Sequence, residues 1–165
     1  MLSVEMLNQH MPQKEYVTYV DFEARHLDEM TNYGLDDLSD AELLEEKQYI
    51  IAQTIDDVAF TILYKGKPIC VFGCLQYWNG VAEMWSLISK DFRQFPIFLT
   101  KAGQTWADIC EIAFNLHRLE ITVKDEDCRA IKWAYALGFK HESFMEKYSA
   151  RREDFNLFVR INHER

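Results

Sequence analysis

The stretch "DEDCRAIKWAYALGFKHE" (residues 125–142) is the most informative part of this 165-residue chain for its fold. Residues 125–139 have the pattern of a helix, and Gly138 closes it. A helix that stops sharply and feeds a strand favours glycine, because glycine adopts the left-handed backbone conformation without a side-chain clash. The following segments, "HESFMEKY" (141–148) and "DFNLFVRI" (154–161), are predicted to form a closing β-hairpin.

Upstream of this stretch, strands and helices are predicted in a regular order. A helix at 98–114 and a strand at 118–124 come directly before it, and Gly103 is a small packing position in the helix. The predicted buried face of that helix also contains Phe98, Ala102, Trp106, Ile109, Cys110 and Ala113. Farther upstream, β-rich runs at 58–64, 68–78 and 81–89 indicate an antiparallel meander. Asn79 and Gly80 supply its second turn, since both tolerate positive φ.

The first third of the chain is predicted to contain a strand at 14–22, a short acidic helix at 21–30 and a helix at 39–53. "NYG" (32–34) should separate the two helices. Ser39 and Glu42 form a capping box for the second helix, whose predicted buried stripe is Leu43, Leu44, Ile50 and Ile51. The complete order is β-α-α-β-β-β-α-β-α-β-β, an α/β (α+β) chain.

The charge is unevenly distributed along the chain. The formal net charge is −9; residues 1–57 contain 14 acidic and 3 basic side chains (14 − 3 = 11, net −11). This composition argues against a general nucleic-acid or anionic-membrane binder, which needs basic patches. There is no signal-peptide pattern and no apolar run long enough to span a bilayer. The length suits one domain, 1–165, in which 1–14 is either part of the fold or a flexible or partner-binding arm.

The cysteines and tryptophans are expected to be structural. Cys70, Cys74, Cys110 and Cys128 lack a zinc-ligand spacing, which predicts free buried thiols in a reducing cytosol and no metal site. The four tryptophans, Trp78, Trp85, Trp106 and Trp133, lie among other apolar residues. Core packing is therefore favoured over stacking on bases or on an adenine ring.

The element order and the stretch 125–142 resemble the Gcn5-related N-acetyltransferase (GNAT) family. Ala130, Leu137, Gly138 and Phe139 match the family's Asn-x-x-Ala-x-x-x-Tyr-x-x-x-Gly-Phe segment, and "YKGKPICVFGCL" (64–75) resembles its second-to-third strand hairpin. The resemblance spans nearly the whole chain. It implies a single GNAT-like domain, with a mixed, mostly antiparallel sheet whose central strands splay apart and which helices flank.

The resemblance also implies where acetyl-CoA would bind. In active members its pyrophosphate meets backbone amides of a Gln/Arg-x-x-Gly-x-Gly/Ala loop, and the corresponding segment here is "RQFPIF" (93–98). Pro96 and Phe98 stand at the two glycine positions, and proline has no amide hydrogen to donate. We therefore expect no cofactor. If acetyl-CoA does bind, its contacts would be Arg93, Gln94, Ile97, Phe98 and Leu99.

Two further positions concern catalysis. Glu83, early in the fourth strand of the family pattern, is where some members carry a general base, so it is the one catalytic candidate. An exposed strand residue is the alternative. The tyrosine that many members use as general acid is replaced by Ala134, and Tyr135 is rotated by about 100° around the helix.

Within this fold, residues 123–161 and "KPICVFG" (67–73) resemble the internal virion protein A family of short-tailed coliphages. That resemblance implies a phage protein, found in the virion or the host cytoplasm, that has lost acetyl-CoA catalysis and acts by protein contact. The alternative is an active acetyl-CoA-dependent N-acyltransferase with an atypical pyrophosphate loop. A third hypothesis is a host-inhibiting protein that mimics acidic nucleic acid.

The acidic 21–57 face is the predicted partner surface. An acidic wall would suit a basic peptide, a polyamine or a basic protein of the virion or host. The competing interpretation is a charged surface that keeps a small domain in solution. Both interpretations remain open from the sequence.

Overall fold

The computed structural model describes residues 2–30, 38–54 and 58–164. The helices are α1 (Val4–His10), α2 (Arg25–Glu29), α3 (Asp40–Gln53), α4 (Pro96–Ala113) and α5 (Cys128–Ala136), with a 3-10 helix at Lys90–Gln94. The strands are β1 (Val17–Asp21), β2 (Val58–Tyr64), β3 (Lys67–Trp78), β4 (Val81–Ile88), β5 (Arg118–Lys124), β6 (Lys140–Met145) and β7 (Phe155–Ile161). The predicted "NYG" break lies outside the described residues.

The strands form one seven-stranded mixed sheet in the order β1-β2-β3-β4-β5-β7-β6. β2 pairs antiparallel with β1 and β3, and β7 pairs antiparallel with β5 and β6. β4 and β5 run parallel and pair where Val81–Glu83 face Arg118–Glu120, after which β4 continues to Ile88 and β5 to Lys124. Parallel neighbours need a crossover connection, and here it contains α4. The predicted α/β fold with a mixed, mostly antiparallel sheet is confirmed.

Contacts group the chain into two compact units. The first comprises residues 1–75 and 86–102. Its core includes the rings of Tyr19, Phe60 and Phe72. The Phe60 ring centroid lies 6.0 Å from that of Tyr19 and 5.8 Å from that of Phe72. The second comprises residues 76–85 and 103–165, and its core includes fully buried Trp106 together with buried Phe139 and Phe158. Each unit therefore has its own hydrophobic core.

Three local signals in the sequence have the expected structure. The side chains and backbone amides of Ser39 and Glu42 form the predicted capping box at the start of α3. Gly80 and Gly138 have φ of +82° and +87°, as a tight turn and a helix-to-strand junction require. α5 starts later than expected, at Cys128, because the Asp127 side chain accepts a hydrogen bond from the Ala130 amide at 2.9 Å.

The segment before β1 contains a helix that the sequence pattern did not indicate. α1 begins after Ser3, whose side chain caps it, and it buries Leu7. The side chain of Asn8 then donates to the Tyr19 carbonyl at 3.1 Å, which ties α1 to β1. Residues 4–10 are thus packed within the first unit.

Several predicted core positions are wrong. Leu44 is 57% exposed and Trp78 is 66% exposed, while Ala113, the last residue of α4, is also exposed. Leu43 and Leu44 point about 100° apart on a helix, so one packing surface cannot bury both. Trp78 directly precedes the Asn79-Gly80 turn, where strand β3 ends. Within the described ranges, no helix is long and apolar enough to cross a membrane.

Candidate functional site

The amino end of α4 is where the sequence resemblance would place a pyrophosphate. The 3-10 helix ends at Gln94, Phe95 follows with φ −115° and ψ 59°, and Pro96 is the first residue of α4. At the start of the helix, the Leu99 backbone amide donates an i to i−4 hydrogen bond to the Phe95 carbonyl at 2.9 Å. Because Pro96 has no amide hydrogen, the amides ahead of that bond are those of Ile97 and Phe98.

The side chains of this segment differ in exposure, and three of them, Gln94, Ile97 and Phe98, line one cavity. Arg93, Gln94 and Ile97 are exposed, Phe98 is half-buried and Leu99 is buried. The Phe98 ring packs edge-on against the buried Phe92, with their centroids 5.6 Å apart. Of the five predicted cofactor residues, the structure thus leaves three in solvent and turns two toward apolar packing.

A cavity of about 580 Å³ lies beside this helix end, within the first unit. Lys14 and Lys101 supply its cationic groups, and the Lys14 Nζ lies 4.6 Å from the centroid of the Phe95 ring. Its other lining residues are Pro12, Gln13, Gln94, Phe95, Pro96, Ile97 and Phe98. The sequence did not indicate Lys14, because it is far from 93–98 along the chain.

The segment does not fit a pyrophosphate in the way the family loop does. A glycine loop lets several consecutive amides approach the phosphate closely, whereas here one of those amides is missing and side chains stand at both glycine positions. Among the lining residues, the donors that remain are the backbone amides of Ile97 and Phe98, the side-chain amide of Gln94 and the two lysines. Any anion in this cavity would depend on the lysines more than on the backbone.

Glu83, the predicted catalytic candidate, lies in the second unit at the paired start of β4. Its side chain is half-buried rather than fully exposed, and it faces Glu120 across the parallel register. The Tyr77 hydroxyl donates to Glu83 Oε2, and the Thr122 hydroxyl donates to Oε1 at 3.2 Å. Both carboxylate oxygens therefore accept a hydrogen bond from a neighbouring strand.

Tyr77 and Thr122 were not identified from the sequence. Burial raises the pKa of the Tyr77 phenol well above its usual range, and the hydrogen bond to Glu83 adds to the effect. The phenol is therefore a neutral donor at ordinary pH. The sequence did contain one indication of the contact between Tyr77 and Glu83: the two residues flank the Asn79-Gly80 turn, which brings their strands together.

The position that the sequence resemblance assigns to a general acid holds no titratable group. Ala134 is fully buried, and Tyr135 is 55% exposed. The Tyr135 ring packs edge-on against Phe158 with centroids 5.3 Å apart. Tyr135 thus points away from the buried side of α5 on which Ala134 lies, as predicted.

The cysteines are free thiols, three of them buried. Cys128, the first residue of α5, is exposed, contrary to the sequence expectation. Over residues 2–30, 38–54 and 58–164, no group of three or more histidine, cysteine or carboxylate side chains could hold a metal ion.

Comparisons with known proteins identify the fold. No family model and no curated protein sequence matches the chain. A ribosomal-protein-S5-alanine acetyltransferase from Vibrio fischeri matches with a TM-score of 0.69 and 17% identity, covering 93% of this chain and 97% of that one. A GNAT-family acetyltransferase from Bacillus anthracis matches with a TM-score of 0.68 and 12% identity, over 90% and 96% of the two chains.

A third similar structure is a complex with acetyl-CoA. The microcin C7 self-immunity acetyltransferase, in complex with acetyl-CoA and AMP, matches with a TM-score of 0.66 and 14% identity, over 90% of this chain and 94% of that one. Similarity at this level of identity concerns the backbone. The chain therefore has the GNAT acetyltransferase fold.

Proposed function

We propose that this chain is a GNAT-fold protein that transfers no acyl group and acts by binding another protein. The amino end of α4 carries the proposal, since Pro96 and Phe98 occupy the places where close backbone approach to a pyrophosphate is needed. A fold does not determine a function, and this one can serve as a scaffold once its cofactor contacts are lost.

The acid and base positions support the same proposal. Buried Ala134 cannot protonate a leaving thiolate, and Tyr135 packs on Phe158 instead. Glu83 accepts hydrogen bonds at both oxygens from Tyr77 and Thr122, an arrangement that stabilises the sheet without any substrate.

The biological setting is proposed from the sequence resemblance. Residues 123–161 resemble the internal virion protein A family of short-tailed coliphages, so we place the chain in a phage virion or in the cytoplasm of the infected host. Its partner would be a virion or host protein, and a basic one would suit the acidic residues 21–57.

An active acetyl-CoA-dependent N-acyltransferase is the second candidate, and one specific observation favours it. The 580 Å³ cavity beside α4 contains Lys14 and Lys101, whose ammonium groups are phosphate ligands in other proteins. One of the similar structures is a complex with acetyl-CoA. In that case the lysines would replace the glycine loop, and Glu83 would be the general base.

A thermal-unfolding titration with acetyl-CoA separates the two candidates. A ligand at about 100 times its Kd stabilises the folded state by about 2.7 kcal/mol, which raises the Tm of a chain this long by roughly 5–10 °C. We expect no saturable rise in Tm with acetyl-CoA, or with free CoA and ATP as controls. A saturable rise that requires the CoA moiety would refute the proposal.

Two variants test whether any rise in Tm comes from binding at the cavity beside α4. The enzyme candidate predicts that Lys14→Ala with Lys101→Ala abolishes it, because these are the cavity's cations. Lys132→Ala, on the exposed side of α5, is the matched control and should leave it unchanged. A rise that survives loss of both cavity lysines would exclude this cavity as the phosphate site.

A further inference from the structure

A buried histidine attaches the short helix α2 to the sheet. His26 is 1% exposed, and its Nδ1 lies 2.8 Å from the hydroxyl of Thr61, a fully buried residue of β2. The backbone nitrogen of Glu23 lies 3.1 Å from the same Nδ1. One ring nitrogen therefore contacts both the turn before α2 and a strand of the sheet.

These two contacts determine where the ring carries its proton. A backbone amide can only donate, so Nδ1 has to accept from Glu23. The neutral ring then has its proton on Nε2, and the Thr61 hydroxyl has to donate to Nδ1 as well. A second proton, added at Nδ1, would face the Glu23 amide hydrogen, and the Thr61 hydroxyl would have to turn to accept it. The arrangement therefore requires the neutral imidazole.

Helix α2 depends on this attachment because it is short. It contains five residues, and its N-cap residue, Ala24, makes no side-chain hydrogen bond to it. A helix of that length does not persist in water without tertiary contacts. Leu27 is buried, and Asp28 pairs with Lys47 of α3 at 2.8 Å, but Asp28 is largely exposed and such an ion pair is weak. Loss of the His26 bonds would therefore leave α2 with little besides the packing of Leu27.

The surroundings of the ring disfavour its charged form. Burial lowers the pKa of His26, and the Arg25 guanidinium lowers it further. The carboxylates of Glu23 and Glu29 raise this pKa, but by less. Strand β2 contributes no carboxylate, lysine, arginine or histidine, and the charged residue of β1 is the exposed Asp21. The described neighbours therefore include no carboxylate that offsets the burial.

We propose that His26 is a pH-sensitive latch, which holds α2 against β2 when the ring is neutral and releases α2 when the ring is protonated. Release changes the acidic 21–57 face, because α2 lies within it. The attachment is complete above pH about 6.5, the ordinary pKa of histidine, and weakens as pH falls from there toward the lower pKa of the folded state. This inference goes beyond the proposed function and makes no use of acetyl-CoA.

Hydrogen exchange of the ¹⁵N-labelled full-length chain, followed by NMR, tests the proposal. The reporters are the amides of Glu23 and Met30, which donate to the ring and to the backbone carbonyl of His26. Between the ordinary and the folded pKa, their protection factors should fall by up to about tenfold for each unit of pH decrease. The amides of Phe60 and Ile62 in β2 are the reference and should keep their protection, because opening of α2 is local.

Matched variants separate His26 from the carboxylates, which also titrate at acidic pH. His26→Asn keeps an acceptor atom at the δ position but does not titrate, so it should abolish the pH-dependent loss of protection. His10→Asn removes an exposed histidine from the end of α1 and should leave that loss unchanged. Thr61→Val removes a donor that favours the neutral ring, so protection at neutral pH and its loss on acidification should both be smaller. Circular dichroism checks that each variant is folded.

The ¹⁵N shifts of the His26 ring test the geometry without any substitution. At neutral pH they should show the Nε2–H tautomer, and the Nδ1–H tautomer would overturn the proposal. Constant protection at Glu23 and Met30 as pH falls would also overturn it. So would a loss that persists in His26→Asn, or an equal loss in β2. None of these results depends on acetyl-CoA or on a partner, so failure here is separable from failure of the proposed function.

Discussion

Replacing Gly103 by alanine tests how closely α4 and α5 pack. A Cβ at this position would lie 2.8 Å from Leu137 Cδ2 and 2.8 Å from Trp133 Cζ2, where ordinary contacts begin at 3.4 Å. Both side chains would therefore have to move by about 0.6 Å (3.4 − 2.8). Leu137 is only 2% exposed, so it has little free space to enter.

Two opposing effects set the size of the change. Alanine favours a helix over glycine by about 1 kcal/mol, whereas overpacking a close contact costs about 1–3 kcal/mol. The net expectation for Gly103→Ala is a loss of roughly 1 kcal/mol, which lowers the Tm of a chain this long by about 2–4 °C. Helix propensity alone predicts a rise of similar size.

The assay is reversible thermal or urea unfolding followed by circular dichroism. In the Leu137→Ala background the overlap with that side chain is gone, so Gly103→Ala should cost less or should stabilise. The difference between the two backgrounds measures the contact. A Tm increase for the single variant, or equal effects in both backgrounds, would refute the packing argument.

Three other predictions follow from described side chains. Burial and the hydrogen bond to Glu83 raise the pKa of Tyr77 in the folded state. The stability that the neutral phenol contributes should therefore be complete below pH about 10 and should be lost as pH rises through the higher folded pKa. Tyr77→Phe should remove this loss of stability at alkaline pH, as measured by urea unfolding. One thiol of the native chain, that of Cys128, should react rapidly with a thiol reagent, and Cys128→Ser should abolish that reaction. Gly138→Ala should cost about 1–2 kcal/mol, measured by urea unfolding, because its φ is +87° although no atom lies within 4 Å of the added Cβ.

Local sequence signals determined much of the fold. The Ser39 and Glu42 capping box and the positive φ of Gly80 and Gly138 involve neighbouring residues, so short-range chemistry is sufficient to predict them. The order of the predicted strands was also recoverable, because their apolar runs are separated by clear turns. Gly103 was identified as a packing position from its place on the α4 face.

Features that depend on distant residues were not predictable in the same way. α1 spans seven residues, too few for a periodic pattern, and its stability depends on burial of Leu7 and on the Asn8 bond to Tyr19. Leu44 matched an apolar stripe in sequence, but only the tertiary structure decides which side of α3 is buried. Lys14 is distant from α4 in sequence, and only the tertiary fold brings it to the cavity beside that helix.

The candidate site was predicted in part. The sequence indicated Pro96 and Phe98 at the start of α4 and Ala134 in α5, and the structure has them at those positions. It did not indicate Tyr77 and Thr122 as partners of Glu83, because hydrogen bonds between strands require the register. Whether any of these residues acts on a substrate stays a prediction.

The most direct test of the central claim is an amide NMR titration of the ¹⁵N-labelled chain with acetyl-CoA. The claim is that the start of α4, with Pro96 and Phe98 in place of glycines, does not hold a pyrophosphate. We expect no saturable shift of the Ile97 and Phe98 amide resonances as acetyl-CoA is added. Saturable shifts at these two amides, accompanied by changes at Lys14 and Lys101, would contradict it and would favour a functioning acyltransferase.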